Sequence, residues 1–188
     1  MSGPDPTVGQ TGSVRVDRTF AFVDLSGFTR FTDAQGDDEA VLVLTGFRAV
    51  LRELASDHGV RIGKWLGDGA MLVAPEPELV MACVIDLQRR VEASGVGLPV
   101  RTGVARGEVI LFEGDDYIGS AINLAARLCD AAAPYEVLAA ADLIDVIPED
   151  ANVTPVEVDI PGFIQPIKVL RLSSKPIGEP EPLPPAVL

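Results

Sequence analysis

The sequence predicts an α+β fold, in which strands pair mainly as antiparallel hairpins and helices cover the sheet. The chain has 188 residues and is 47% hydrophobic, which is enough for one domain with a buried core. Apolar residues alternate along some short segments, as in strands, and recur every three or four positions along others, as in helices. Hairpins and helices follow one another in groups, whereas strict alternation of strand and helix would favour a parallel sheet.

A strand and two helices are predicted in the first third of the chain. Residues 20–25 form the apolar run of a buried strand, and Ser26-Gly27 then opens a helix. A longer helix follows, with an apolar residue every three or four positions from Val43 to Leu54. His58-Gly59 is typical of a helix C-terminus, so we interpret the single histidine as a helix-end residue rather than a catalytic one.

Two hairpins, two helices and further strands are predicted in the rest of the chain. Gly67-Asp68-Gly69 is the tight turn of the first hairpin, and Arg106-Gly107 is the predicted turn of the second. Pro77 begins the helix between them. The predicted buried stripe of that helix is Leu79, Cys83, Leu87 and Val91. The later elements are a helix at 119–132 and strands near 135–139, 153–158 and 166–172.

The charge balance argues against nucleic acid or an anionic membrane as the main partner. Lys and Arg number 15 against 28 Asp and Glu, which gives a net charge of −13. A small polyanion can still bind where divalent cations reverse the local charge. No apolar run approaches the ~20 residues of a membrane helix. Cys83 and Cys129 lack disulfide or metal-site spacing, so we expect a cytoplasmic protein with reduced thiols.

Both ends of the chain differ in composition from its middle. Residues 1–17 are small and polar with Pro and Gly, and the last residues are rich in proline. We therefore expect a flexible N-terminal segment at 1–17, a folded domain at 18–172 and a Pro-rich tail at 173–188.

Two aspartates are predicted to come together beside a helix N-terminus. Asp24 ends the strand 20–25, and Asp68 is at the tip of the first hairpin. Each alone has a structural explanation, as a helix cap for Asp24 and as a turn residue for Asp68. Together they form a carboxylate pair suited to Mg²⁺ or Mn²⁺. The helix N-terminus beside them would favour an anion through the backbone amides of Ser26, Gly27, Phe28 and Thr29.

A second charged pair, Lys64 and Asp116, is suited to reading a purine base. Adenine presents an acceptor at N1 and a donor at N6, so a site that selects adenine needs one donor beside one acceptor. Guanine presents the reverse pattern, a carbonyl at position 6 and an N1–H, so the lysine would face a donor and the aspartate would face an acceptor. Taken by themselves, however, Lys64 is better explained as a solvated strand lysine and Asp116 as a loop acid.

Asn123 and Arg127 are four residues apart on the helix 119–132, so they share one exposed stripe and lie ~5–6 Å from each other. Ordinary surface is the alternative explanation for such a pair. The small residues beside it, however, indicate close approach of another group. The predicted buried side of the helix is Ile122, Ala125, Ala126 and Cys129.

The segments 20–29, 64–69 and 116–127 resemble, in order and spacing, the catalytic domain of the class III nucleotidyl cyclases, the adenylyl and guanylyl cyclases. Residues 119–127 match the family run Gly-x-x-(Val/Ile)-Asn-x-Ala-(Ala/Ser)-Arg at every specified position. The resemblance implies a ferredoxin-like βαββαβ core with additional strands and helices, an α/β sandwich. It also implies that two divalent cations are held by Asp24, Asp68 and the backbone carbonyl of Leu25.

The resemblance further implies the substrate. Adenylate-type cyclases carry a lysine four residues before the second metal aspartate, and an aspartate three before the glycine that opens the Asn/Arg helix. Lys64 and Asp116 meet both conditions, whereas guanylyl cyclases typically carry Glu and Cys there. The implied substrate is therefore ATP.

The implied reaction is attack of the ribose 3′-hydroxyl on the α-phosphorus, which gives 3′,5′-cyclic AMP and pyrophosphate. Asn123 would position the ribose, and Arg127 would stabilise charge on the phosphoryl oxygens. Lys64 and Asp68 are close in sequence yet should face opposite ends of ATP. The family places them in a head-to-tail homodimer, in which the two aspartates of one chain complete a site with the other four residues of its partner.

One position departs from the family pattern. A Lys or Arg usually lies beside the glycine of a late hairpin and holds the triphosphate, but this chain has Pro161 there. Lys168 and Arg106 are candidates to replace that cation. The departure leaves an alternative open, a catalytically weak or inactive nucleotide-binding regulatory homologue of the same fold.

Overall fold

Eight strands and four α-helices make up the fold, in a computed structural model that describes residues 14–94, 97–114 and 116–174. In chain order they are β1 (Val14–Leu25), α1 (Phe28–Gln35), α2 (Asp37–Asp57), β2 (Arg61–Leu66), β3 (Gly69–Ala74), α3 (Pro77–Ser94), β4 (Val100–Phe112), β5 (Asp116–Ile118), α4 (Ser120–Ala131), β6 (Val137–Ala140), β7 (Ala151–Val158) and β8 (Ile167–Ser174). A 3-10 helix, Ala141–Val146, follows β6. Among the described helices, none has the length and apolar character needed to span a membrane.

The strands form one sheet in the order β2-β3-β1-β4-β6-β8-β7, with β5 paired to β4. Neighbouring strands are antiparallel except β4 and β6. The first four strands and the helices between them make a βαββαβ unit with the strand order β2-β3-β1-β4. The α+β class and the ferredoxin-like core are therefore confirmed.

Helix α4 lies directly on β4, where Gly103 allows the helix backbone to approach the strand. A Cβ at Gly103 would collide with backbone atoms of Ala125 and Cys129 in α4. Helix α3 contacts β1, β3 and β4, and Val104, the next residue of β4 after Gly103, is fully buried. Because successive strand residues point to opposite faces, the central strands are covered on both sides. The sheet thereby presents α4 in a fixed position.

The predicted hairpin turn at Arg106-Gly107 is wrong. β4 continues through it as one strand, Val100–Phe112, because β1 pairs with β4 from one end to the other. Gly107 instead makes room for α4, since a Cβ there would lie 3.1 Å from that of Ala121. The chain reverses only after Phe112 and returns as the short strand β5.

The predicted boundaries of the folded part also shift. β1 begins at Val14, inside the segment 1–17 that was expected to be flexible, because residues 14–17 pair with β4. β8 ends at Ser174, two residues beyond the predicted boundary at 172. The remainder of both predicted tails lies outside the described residues, so the division into tails and domain stays a prediction.

Two details of helix burial differ from expectation. Leu79 is 36% exposed, whereas Val80 and Val84 of α3 are fully buried. On α4, Ile122 and Ala126 are only half-buried. The buried residues of α4 are Ala121, Ala125, Leu128 and Cys129. Other expectations hold: Cys83 and Cys129 are free and buried, and His58 ends α2, where its Nε2 lies 2.8 Å from Oδ2 of Asp86.

Candidate active site

Asp24 and Asp68 line one cleft, of about 380 Å³, at the end of β1. The pairing of β1 with β3 places Asp24 opposite Gly69, the residue that follows Asp68. Oδ1 of Asp24 lies 3.1 Å from the position that a Cβ on Gly69 would take. The hairpin turn thus lies against the end of β1, and the structure brings the two carboxylates together.

The surroundings of Asp68 in this cleft disfavour its negative charge. The pKa of Asp68 is raised above its usual value, first because burial removes water from the carboxylate and second because Asp24 repels its charge. Within the described residues, no group of three His, Cys, Asp or Glu side chains is arranged to hold a metal ion. Two carboxylates nevertheless suit Mg²⁺ or Mn²⁺, because such ions are commonly bound through one or two carboxylates and share the remaining positions with phosphates and water. The donors present therefore fit the expected cations.

The raised pKa predicts that Asp68→Asn stabilises the metal-free protein near neutral pH. A carboxyl whose pKa is raised by folding contributes stability below its unfolded pKa, and that contribution is lost as the pH rises through the folded pKa. At pH ~7 the ionised carboxylate therefore costs stability, which a neutral Asn avoids. Because Asp68 is partly exposed, we expect a gain of at most about 1 kcal/mol, or ~2–4 °C in Tm.

Thermal unfolding in EDTA measures this effect. The Tm difference between Asp68→Asn and the unmodified protein should be largest near pH ~7 and should vanish near pH ~3. Asp145→Asn, at an exposed position of the 3-10 helix, is the control for loss of one negative charge. A Tm for Asp68→Asn that is no higher than that of the control near neutral pH would contradict the prediction.

Arg101 is a residue of this cleft that the sequence reasoning missed. Its Nε and Nη2 donate hydrogen bonds to Oδ2 of Asp24 at 2.9 and 2.7 Å, and its Nη1 donates to the backbone carbonyl of Asp130 at 3.0 Å. Burial lowers the pKa of Arg101, but the hydrogen bond and charge of Asp24, together with other nearby groups such as Asp130, raise it, and the pKa is raised overall. Among the described residues that line the cleft, Arg101 is the only Lys or Arg.

Neither residue proposed to replace the missing triphosphate cation lines this cleft. Arg106 forms an ion pair with Asp17, with Nη2 3.0 Å from Oδ2. Lys168 lies on β8 opposite Glu157 of β7. Arg101, not Arg106 or Lys168, is therefore the cation that this chain places beside its two aspartates.

Lys64 and Asp116 form an ion pair in a second pocket. Lys64 comes from β2 and Asp116 from the short strand β5, so the β4–β5 hairpin has to fold back for the pair to form. The pocket has a volume of about 330 Å³. Its other lining residues are Met71, Phe112, Tyr117, Ile118 and Ile122. A donor and an acceptor thus lie side by side among large apolar side chains.

Asn123 and Arg127 are exposed on α4, and neither lines the two pockets. The guanidinium of Arg127 lies against Gly162, in the loop between β7 and β8. Within the part of the chain that the structure describes, Arg127 has no hydrogen bond or ion pair. The described residues therefore leave its N–H donors available to bind an anion.

The helix N-terminus beside Asp24 supplies fewer amides than expected. The backbone N–H of Ser26 donates to the carbonyl of Pro99 at 2.7 Å, so the expectation that its amide faces an anion is wrong. Gly27 adopts a φ of 81°, which starts α1 at Phe28. Thr29 lines the cleft with the two aspartates. An anion bound here would therefore contact the backbone amides that follow Ser26.

Comparison with known proteins agrees with this geometry, although no protein-family model matches the chain. An uncharacterized protein of Mycobacterium tuberculosis is 36% identical over 169 residues, which cover 90% of this chain and 44% of that protein. A pH-sensitive adenylate cyclase of Mycobacterium tuberculosis is 33% identical over 122 residues, or 65% of this chain and 30% of that protein. The chain thus spans less than half the length of these curated relatives.

Solved structures show the same fold. The adenylyl cyclase CyaB from P. aeruginosa superimposes with a TM-score of 0.70 at 22% identity, over 89% of this chain and 99% of that one. A guanylyl cyclase superimposes with a TM-score of 0.74 at 20% identity, over 89% and 96% of the two chains. Because both kinds of enzyme share the fold, the fold alone does not decide between their substrates.

Proposed function

The chain belongs to the class III nucleotidyl cyclases, and from that membership we propose that it converts ATP to 3′,5′-cyclic AMP and pyrophosphate. The observation that carries the proposal is the meeting of two charged pairs that are each distant in sequence. Asp24 and Asp68 share one cleft, and Lys64 and Asp116 share an apolar pocket. A protein that binds ATP needs both kinds of site, because ATP has a charged triphosphate at one end and a neutral base at the other.

Lys64 and Asp116 would select adenine. The ammonium of Lys64 would donate to N1 and the carboxylate of Asp116 would accept from N6, in a pocket with apolar walls that a bound base would help to close to water. Guanine would place an N–H towards an ammonium or a carbonyl towards a carboxylate, and the unpaired groups would cost binding energy. In the free protein the two side chains satisfy each other through their ion pair.

Asp24, Asp68 and the carbonyl of Leu25 would hold the divalent cations, Mg²⁺ or Mn²⁺, which would neutralise phosphate charge and favour ionisation of the 3′-hydroxyl. Arg101 is already held in this cleft by Asp24 and the carbonyl of Asp130. Its guanidinium can donate to phosphate oxygens, and we propose that it supplies the positive charge that Pro161 does not.

Asn123 and Arg127 would act on the reacting end of the ribose and the α-phosphate. The amide of Asn123 would orient the ribose so that the hydroxyl lies in line with the phosphorus, and this orientation replaces a flexible ring closure by a directed one. The donors of Arg127, which the described residues leave unpaired, would stabilise the charge that develops on the phosphoryl oxygens.

We propose that each site is shared by two chains in a head-to-tail homodimer. In one chain the aspartate cleft and the Lys64–Asp116 pocket are separate, and Asn123 and Arg127 line neither of them. Phe112 is 46% exposed and Ile118 is 54% exposed beside the purine pocket, so apolar surface remains for a partner to cover. ATP as the substrate would place the activity in the cytoplasm.

Incubation of the purified chain with ATP or GTP and Mn²⁺ tests the proposal. Cyclic AMP and pyrophosphate should form from ATP in equal amounts, with little cyclic GMP from GTP. Binding of ATP without turnover would instead support the regulatory homologue. Preferential turnover of GTP would keep the family and refute the assigned substrate.

Lys64→Met is expected to lower kcat/KM for ATP by ~10- to 100-fold, because it removes the donor to N1 and leaves Asp116 without its partner in the pocket. The kcat/KM for GTP should change less, so the ATP preference should fall. Lys168→Met is the matched control, because it removes a lysine from β8 that lies outside both pockets. An equal loss in the two variants would contradict the role of Lys64.

A further inference from the structure

We propose that Gly162 is a positioning residue for Arg127. Because glycine has no side chain, the guanidinium of Arg127 can lie directly against the backbone at position 162. The catalytic role of Arg127 rests on the proposed function. The contact between Arg127 and Gly162 does not, since it is a feature of the fold.

Gly162 is part of a rigid turn between β7 and β8. The backbone N–H of Phe163 donates to the carbonyl of Ile160 at 3.0 Å, and Gly162 has a φ of +94°. Pro followed by Gly with positive φ, closed by this hydrogen bond, is the pattern of a type II β-turn. Pro161 therefore fixes the turn at the position where related enzymes are expected to carry a cation.

The turn is also fixed relative to α4. Ile160 is 3% exposed and belongs to a small hydrophobic cluster with Leu128 of α4 and Leu138 of β6. Leu128 directly follows Arg127 in the chain. The same packing therefore holds both the backbone that carries Arg127 and the turn on which its side chain lies.

The guanidinium of Arg127 occupies the space that a side chain at 162 would need. A Cβ there would collide with Nη1 of Arg127 and would lie 3.1 Å from Cζ and 3.2 Å from Nη2. Fixing a long arginine side chain in one position costs rotamer entropy. Contact with Gly162 restricts that freedom before substrate binds, while the N–H donors stay unpaired within the described residues.

The test compares Gly162→Ala and Gly162→Asn with Gly36→Ala. Gly36 has a φ of +89° and a ψ of 170°, a conformation almost restricted to glycine, and a Cβ added to it would meet nothing within 4 Å, so alanine there adds backbone strain without a collision. Asn tolerates positive φ better than Ala, so a loss shared by both Gly162 variants comes from the added Cβ. We expect both to lower kcat by ~10- to 100-fold with KM for ATP within about twofold, and Gly36→Ala to keep kcat.

A double-mutant cycle separates positioning from a general structural effect. In an Arg127→Ala background, Gly162→Ala should cause no further loss of kcat, because the group that it displaces is gone. A further loss as large as in the unmodified background would overturn the proposal. Equal kcat values for the Gly162 variants and Gly36→Ala, at comparable Tm, would overturn it as well.

The Nε–Hε NMR resonance of Arg127, assigned by its absence in Arg127→Lys, provides a readout that needs no activity. It should shift in Gly162→Ala and Gly162→Asn but not in Gly36→Ala. An unshifted resonance refutes the positioning role even in a fully active enzyme. Absence of cyclic nucleotide from the unmodified protein refutes the proposed function instead, and the resonance then still decides whether Gly162 positions Arg127.

Discussion

Asp24→Asn is expected to lower cyclic AMP formation by ~10³-fold or more. The side chain keeps its size, but an amide binds a hard divalent cation far less well than a carboxylate. Metal-ion stabilisation of phosphoryl oxygens contributes several kcal/mol, and each 1.4 kcal/mol corresponds to about tenfold in rate. The change also replaces the charged acceptor of two hydrogen bonds from Arg101 by a neutral amide, which weakens the hold on the cation of the same cleft.

Asp17→Asn is a matched control for this prediction. Asp17 lies on the same strand, and its carboxylate also pairs with an arginine, Arg106, at 3.0 Å. The control therefore loses an Asp–Arg pair from β1 without touching the cleft and should keep its activity. Mn²⁺ binding, followed by calorimetry, should weaken only in Asp24→Asn. An Asp24→Asn variant that keeps a tenth of the activity would exclude Asp24 as a metal ligand.

Mixing Asp24→Asn with Arg127→Ala is expected to restore activity that neither variant has alone. If each site takes its aspartates from one chain and its arginine from the other, a mixed dimer has one site with both changes and one with neither. Random pairing at equal amounts makes half of the dimers mixed, so the activity should reach about a quarter of the unmodified level.

Two observations complete this experiment. Mixing Asp24→Asn with Asp68→Asn should restore nothing, because both changes fall in the contribution of the same chain. Activity should also rise more steeply than linearly with protein concentration where dimers are scarce. A mixture of Asp24→Asn and Arg127→Ala that stays inactive, although mixed dimers are detected, would show that one chain holds a complete site.

The sequence predicted the parts of the candidate site that depend on local motifs. Asp68 is placed by a tight Gly-Asp turn, and Asp24 by the end of an apolar strand next to a glycine that starts a helix. Asn123 and Arg127 share a stripe because helical spacing requires it. In each case a few neighbouring residues determine where the side chain lies.

The parts that were missed depend on pairing between distant segments. Gly107 was interpreted as a turn residue, but its small size serves the approach of α4, which only the packed fold reveals. That error hid the full register of β4 on β1, and with it the position of Arg101 directly opposite Asp24. Likewise, the sequence showed only that Pro161 replaces an expected cation. The position of its turn beside Arg127 depends on contacts between separate elements, which local sequence patterns do not reveal.

The close contact between α4 and Gly103 has a consequence for how such an enzyme could be switched. Because the main chain of α4 contacts the main chain of β4 at Gly103, the helix cannot shift or rotate on the sheet without a steric clash. Asn123 and Arg127 must therefore travel with the sheet as one rigid piece. In the proposed homodimer, a signal that turns catalysis on or off would therefore have to rotate one whole subunit against the other, so that the two halves of each site close or separate together.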